Sequence, residues 1–158
     1  MKYLNTEIGF IEFPDEISLL INITNCRFHC EGCHSPELWE DIGIELNKQE
    51  LAKLIESNKG ITLVGFMGGV PSLIYTYAQF IKNEYPNLKV GWYWGGDSIP
   101  NEVRGSHNFD YIKVGPYVEQ CGPLNNPNTN QRMYQITSNA IVDITSKFWN
   151  NEISNTEP

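Results

Sequence analysis

The sequence predicts an α/β fold, arranged as a partial, open βα barrel with a mostly parallel sheet. Short apolar runs rich in β-branched residues, typical of buried strands, alternate with segments whose apolar residues recur at helical spacing. This alternation is typical of βαβ units. A complete eight-unit barrel takes about 250 residues, whereas the chain has 158. We therefore expect a single domain over residues 1–150 and a polar, frayed tail at residues 151–158.

Apolar runs predict strands at residues 8–13, 17–23, 61–66, 89–94 and 111–114. The first helix is predicted to begin after Asn47, a suitable cap residue, and to end at the turn 58–60. The second helix is predicted from the recurring apolar residues Ile74, Tyr77, Ala78 and Ile81. On the strand at 89–94, Trp92 and Trp94 share one face, where tryptophans usually belong to the core.

Three cysteines, Cys26, Cys30 and Cys33, follow the predicted strand 17–23 with the spacing C-x3-C-x2-C. An iron–sulfur cube is normally held by four cysteines, so a loop with three leaves one iron open to a small molecule. Loops at the carboxyl ends of parallel strands are where α/β proteins place their active sites. The pattern favours a redox-active 4Fe–4S cluster with an open iron.

Other interpretations of the cysteines remain open. A zinc site of the Cys3His type would take His34 or His29 as its fourth ligand. A disulfide with a spare thiol would suit a secreted protein, which nothing here suggests. The three thiols could also be unrelated. Cys121 lies far away in sequence and is predicted to be a structural or free thiol.

Composition restricts the class of partner. The formal net charge of −8 argues against a nucleic-acid surface, which needs clustered Lys and Arg, and against anionic membranes. The first residues do not resemble a signal peptide, and no apolar run approaches the roughly 18 residues of a membrane span. We therefore expect a cytoplasmic, reducing location, which suits an oxygen-sensitive cluster.

Two glycine pairs follow predicted strands. Gly68 and Gly69 allow a ligand to approach the backbone, whose N–H and C=O groups would bind an amino-acid moiety. The alternative is an ordinary turn with Pro71 as the first helical residue. At 94–97, the second pair could make room for a nucleoside with Asp97 bonding its ribose, although a plain turn explains this segment equally well.

Taken together, these motifs resemble the radical S-adenosylmethionine (SAM) superfamily, in which such a cysteine loop is followed by a strand ending in Gly-Gly-x-Pro. Residues 30–37, Cys-Glu-Gly-Cys-His-Ser-Pro-Glu, resemble the activating proteins of anaerobic ribonucleoside-triphosphate reductase. Residues 110–117 and 129–132 are similar to the Gly-Pro-aromatic and Asn-Gln-Arg segments of that branch. The chain departs from the pattern at Val70 and Val114, where acidic residues are common.

The resemblance implies a set of binding residues. Cys26, Cys30 and Cys33 would hold three irons, and SAM would chelate the fourth through its amino and carboxylate groups. Gly32 and His34 flank the last cysteine and would lie near that iron. The methionine end of SAM would rest on Gly68 and Gly69, and Asp97 would serve the nucleoside. No catalytic side chain is implied beyond the cluster and SAM.

The resemblance also implies a reaction. The reduced cluster would give one electron to SAM, and the resulting 5′-deoxyadenosyl radical would install a glycyl radical on the large subunit of anaerobic (class III) ribonucleotide reductase. A flavodoxin-like protein would supply the electron. Arg132 and Asn130 would serve the partner or SAM, or would only hold a solvated turn, and Lys113 is a further candidate.

Two rival functions remain open. One is radical SAM chemistry on another glycyl-radical enzyme, a peptide or a small molecule. The other belongs to a different class, a zinc-stabilised binding module without catalysis, and it leaves the Gly68–Gly69 motif without a purpose.

Overall fold

The computed structural model describes residues 1–149, which form eight strands and two α-helices. The strands are β1 (Lys2–Gly9), β2 (Ser18–Ile23), β3 (Ile44–Glu45), β4 (Leu63–Met67), β5 (Lys89–Tyr93), β6 (Tyr111–Val114), β7 (Arg132–Ile136) and β8 (Ile141–Asp143). The helices are α1 (Lys48–Ser57) and α2 (Pro71–Glu84), with short 3-10 helices at Pro36–Trp39 and Thr145–Phe148. The predicted tail at 151–158 lies outside the described residues.

The strands form a single mixed sheet in the order β3-β1-β2-β4-β5-β6-β7-β8. Only β2–β4, β4–β5 and β5–β6 are parallel pairs, and the four outer pairs are antiparallel. The predicted partial, open βα barrel with a mostly parallel sheet is therefore wrong. The sheet is mixed because of how some of its strands are connected. Strands β1 and β2 follow each other without a helix between them, as do β7 and β8, and such hairpin connections give antiparallel pairs.

Both predicted helices are confirmed. Asn47 caps α1 by accepting a hydrogen bond from the Glu50 N–H at 2.9 Å, and Pro71 is the first residue of α2. The helices pack on one face of the sheet, against a core that also contains Trp92 and Trp94. Within residues 1–149 the opposite face carries no α-helix. We refer to it as the helix-free face.

The first predicted strand, at 8–13, is wrong in position. Strand β1 ends at Gly9, and the apolar residues after it belong to a loop. That loop places Phe13, which is fully buried, on the helix-free face of the sheet. A Cβ atom on Gly65 or Gly91 would lie 2.6 or 2.3 Å from its ring. The two glycines therefore make the space in which Phe13 covers the central strands.

Candidate iron–sulfur site

The cysteine loop, residues 24–35, connects the carboxyl end of β2 to the 3-10 helix Pro36–Trp39 and folds back on that helix. The Asn25 N–H donates to the Glu40 carbonyl and the Cys26 N–H to the Leu38 carbonyl, both at 2.9 Å. Three residues of the loop have positive φ angles, namely Asn25 (59°), His29 (45°) and Gly32 (73°). Left-handed backbone is costly except at glycine and asparagine, so the loop is a specific, tightly turned structure.

All three loop cysteines carry free, half-buried thiols. The Cys33 N–H donates to the Cys30 carbonyl at 3.1 Å, and the Cys33 sulfur accepts from the Ser35 N–H at 3.4 Å. Among the described residues, no three Cys, His, Asp or Glu side chains converge closely enough to hold a metal ion. The thiols are thus neighbours on one loop without being gathered at one point. Three free thiols with this spacing fit the thiolate ligation of an iron–sulfur cluster.

Both histidines proposed as a fourth zinc ligand lie against aromatic rings. His29 stacks on Trp39 with ring centroids 4.9 Å apart, and His34 meets the edge of Tyr117 at 5.4 Å. Tyr117 also lies 3.2 Å from the position that a Cβ on Gly32 would take. Tyr117, in the segment after β6, therefore lies beside Gly32 and His34, the two neighbours of the last cysteine.

The middle of the loop rests on the end of β5. The Phe28 ring packs edge-on against Trp94 at 4.9 Å, and a Cβ on Gly95 would lie 2.6 Å from that ring. The Arg27 guanidinium lies over both rings, at 5.5 Å from Phe28 and 5.1 Å from Trp94. Phe28 was not among the predicted site residues, although its place between two cysteines was a signal for it.

Lys113 brings a buried cation close to the loop. It lies on β6 opposite Tyr93 of β5, it is 8% exposed, and its ammonium donates to the Gly115 carbonyl at 2.8 Å. Burial lowers the pKa of Lys113 to about 8, and negative charge on Cys30, Cys33 or Cys26 would act in the opposite direction, because it favours the ammonium. Burial is thus the main influence on the Lys113 ammonium, and charge on the cysteine loop would partly offset it.

The Gly68–Gly69 pair is held firmly by the fold. Both residues have positive φ angles, of 98° and 99°. The Gly68 N–H donates to the Tyr93 carbonyl at 3.0 Å, and the Gly68 carbonyl accepts from the Trp92 indole at 2.8 Å. A Cβ on Gly69 would lie 2.7 Å from Ile74. Turn geometry and packing therefore account for both glycines, and ligand binding by them stays a prediction.

Of the remaining predicted residues, Asp97 and Asn130 lie outside the strands and Arg132 is the first residue of β7. Asp97 is exposed after β5. Asn130 donates to the Pro116 carbonyl at 2.9 Å, and Arg132 donates to two carbonyls of its own turn. These two residues thus stabilise the segment beside the cysteine loop. Cys121 forms no disulfide and lies in a separate turn.

A loop with three cysteines at the carboxyl end of a parallel strand defines a candidate iron–sulfur protein. The chain belongs to the family described as the 4Fe-4S single cluster domain, whose model matches residues 17–112, more than half of the chain. The matched region contains Cys26, Cys30 and Cys33, so the predicted 4Fe–4S cluster is supported at the level of the family. Comparisons with curated proteins and with solved structures give no significant match. No helix among the described residues has the length and apolarity needed to cross a membrane.

Proposed function

We propose that this protein is a SAM-dependent activating enzyme that installs a glycyl radical on anaerobic ribonucleotide reductase. The observation that carries the proposal is a loop with three free thiols, and no fourth cysteine, at the carboxyl end of β2. Three thiolates leave one position of a 4Fe–4S cluster for a ligand from outside the protein. The Gly-Gly-x-Pro and Gly-Pro-aromatic segments at the ends of β4 and β6 support the same assignment.

In this proposal Cys26, Cys30 and Cys33 hold the cluster. The cluster and SAM, when bound, supply the one-electron cleavage that yields a 5′-deoxyadenosyl radical. The protein's own part is to bind, orient and shield them. The half-buried loop keeps the thiols near the surface, where a flavodoxin-like donor can pass an electron.

The helix-free face of the sheet is the proposed place for SAM. Asn22, Met67, Tyr93 and Lys113 lie side by side across the four parallel strands. This row lies at the carboxyl end of the strands, which is also where the cysteine loop begins. The Lys113 ammonium would supply positive charge for the SAM carboxylate, and the exposed Asp97 would accept bonds from the ribose.

The proposed substrate is a loop of another protein. A domain of this size with half-exposed ligands does not enclose a small molecule fully, but it can receive a projecting loop that carries a glycine. Tyr117 and the turn held by Asn130 border the cysteine loop and would contact that substrate.

Anaerobic reconstitution tests the cluster and SAM. The dithionite-reduced protein should show a 4Fe–4S EPR signal that SAM perturbs. Cys30→Ala should lose the signal, and the matched control Cys121→Ser should keep it. A reduced signal that is indifferent to SAM would contradict the proposal, and a colourless protein that takes up zinc would favour the binding module.

A second experiment tests the partner. The reconstituted protein is mixed with reductant, SAM and the anaerobic reductase, and the glycyl-radical EPR signal is recorded. SAM cleavage without that signal would refute the assigned partner, and it would point to another glycyl-radical enzyme, a peptide or a small molecule.

A further inference from the structure

One edge of β1 lacks a neighbouring strand over most of its length. Strand β2 pairs with one side of β1 from Tyr3 to Gly9, but β3 pairs with the other side only at Lys2 and Tyr3. Among residues 1–149, no strand covers that second side over residues 4–9. An uncovered edge offers its N–H and C=O groups to an added strand.

Apolar side chains gather at the end of this edge. Phe10 and Ile11 are 65% and 75% exposed, and Ile8 is 42% exposed. The loop that presents them is anchored, because Phe13 is fully buried and the buried Glu16 binds Lys89, Thr62 and Tyr111. The exposed side chains are therefore displayed from a fixed base.

The two faces of this edge differ in chemistry. Ile8 lies opposite Leu19, on the face that carries the helices, whereas Glu7 lies opposite Leu20, on the helix-free face. Glu7 is exposed and forms no ion pair among the described residues. A strand added beside β1 would therefore place alternate side chains next to Ile8 and next to Glu7. An added strand in which apolar residues alternate with basic residues would place an apolar side chain next to Ile8 and a basic side chain next to Glu7.

Charge also selects among possible occupants. Residues 3–26 contain neither Lys nor Arg. Of their four acidic residues, Glu16 is buried and paired with Lys89, whereas Glu7, Glu12 and Asp15 are at least partly exposed. A second copy of this chain would bring the same acidic surface to the edge, and like charges across paired strands are destabilising. An anionic membrane would be repelled for the same reason. A basic partner is favoured.

We propose that the free edge of β1, with Ile8, Phe10 and Ile11, docks an extended segment of a partner protein in which apolar residues alternate with Lys or Arg. This proposal does not depend on the proposed enzymatic function. Strand β2 has six residues, so the apolar end of the edge lies about 20 Å from the cysteine loop. A partner held there leaves the cysteine loop accessible.

The test uses a labelled peptide that alternates valine and lysine, with binding to the full chain followed by fluorescence anisotropy. We expect binding that weakens with salt and amide NMR shifts confined to residues 4–11. The double variant Phe10→Ser/Ile11→Ser should bind roughly tenfold more weakly. The matched control, Ile141→Ser/Val142→Ser, alters exposed apolar residues on the opposite edge strand and should bind normally.

A charge exchange makes the test specific. Glu7→Lys should lose the lysine peptide and bind its glutamate counterpart instead. A central proline in the peptide should abolish binding, since it removes a backbone donor. Four results would overturn the proposal: no binding, equal binding of the proline peptide, dimerisation of the chain through β1, or attachment to phosphatidylserine vesicles through Phe10 and Ile11.

Discussion

Replacing Gly95 with alanine tests whether the cysteine loop depends on the end of β5. A Cβ at this position would lie 2.6, 2.9 and 2.9 Å from three carbons of the Phe28 ring, whereas ordinary contacts begin at 3.4 Å. The ring would therefore have to retreat by about 0.8 Å, the difference between 3.4 and 2.6 Å. Phe28 lies between Cys26 and Cys30, so its movement displaces the backbone that carries two of the predicted cluster ligands.

Overpacking of this kind costs about 1–3 kcal/mol. Since each 1 kcal/mol shifts the melting temperature by about 2–4 °C at this chain length, Gly95→Ala should lower Tm by roughly 2–12 °C. Trp94 blocks one path of retreat, because it packs against the Phe28 ring with centroids 4.9 Å apart. We therefore expect reduced iron uptake as well as reduced stability.

The assay is iron and sulfide content per chain after anaerobic reconstitution, combined with thermal unfolding. Ser98→Ala is the matched control, because Ser98 is exposed on the same segment. In the double variant Gly95→Ala/Phe28→Ala the clash is absent, so its loss of stability should be smaller than the sum of the two single losses. Normal iron content and normal Tm in Gly95→Ala would refute the reasoning, as would strictly additive losses.

Three further predictions follow from buried contacts. Phe13→Ala should destabilise the fold by about 3–5 kcal/mol in urea unfolding, because Phe13 is fully buried, whereas Phe10→Ala, at a residue 65% exposed, should change it by less than about 0.5 kcal/mol. Trp92→Phe removes the indole donor to the Gly68 carbonyl and should cost about 1–3 kcal/mol by thermal unfolding; an unchanged Tm would argue against this support of the glycine turn. The pKa of Lys113 is lowered to about 8 in the folded protein, so above that pH the unfolded chain binds more protons than the folded chain does. The free energy of unfolding of the cluster-free protein should therefore rise between about pH 8 and 10. Lys113→Met should remove this rise in pH-dependent unfolding, and a rise that persists would contradict the assignment.

Sequence alone predicted the parts of the site that depend on local chemistry. The Asn47 cap, the position of Pro71 and the apolar spacing of both helices specify α1 and α2, because each signal acts within a few residues. The C-x3-C-x2-C spacing likewise predicted the cluster ligands, and the family match, which spans the three cysteines, supports a 4Fe–4S cluster. Ligands that all lie within one loop can be predicted from the local sequence without knowing the rest of the fold.

Features that depend on long-range strand pairing were not predictable from the local sequence. The apolar run 8–13 resembles a strand, yet its residues divide into the buried Phe13 and the exposed Phe10 and Ile11. Strand β1 itself is polar at Asn5, Thr6 and Glu7, so no local pattern marks it. It becomes a strand only because β2 offers it a hydrogen-bonding partner.

The sequence by itself determined the two helices, the buried parallel strands and the spacing of the three loop cysteines in this protein. Only the tertiary structure decided that the sheet is mixed, that one face carries no α-helix within residues 1–149, and that Lys113 and Trp94 lie beside the cysteine loop. The physical reason is the separation in sequence of the residues that interact. Helix periodicity and ligand spacing depend on residues that are close together along the chain. Strand order, burial and the approach of a distant side chain depend on which segments meet in space.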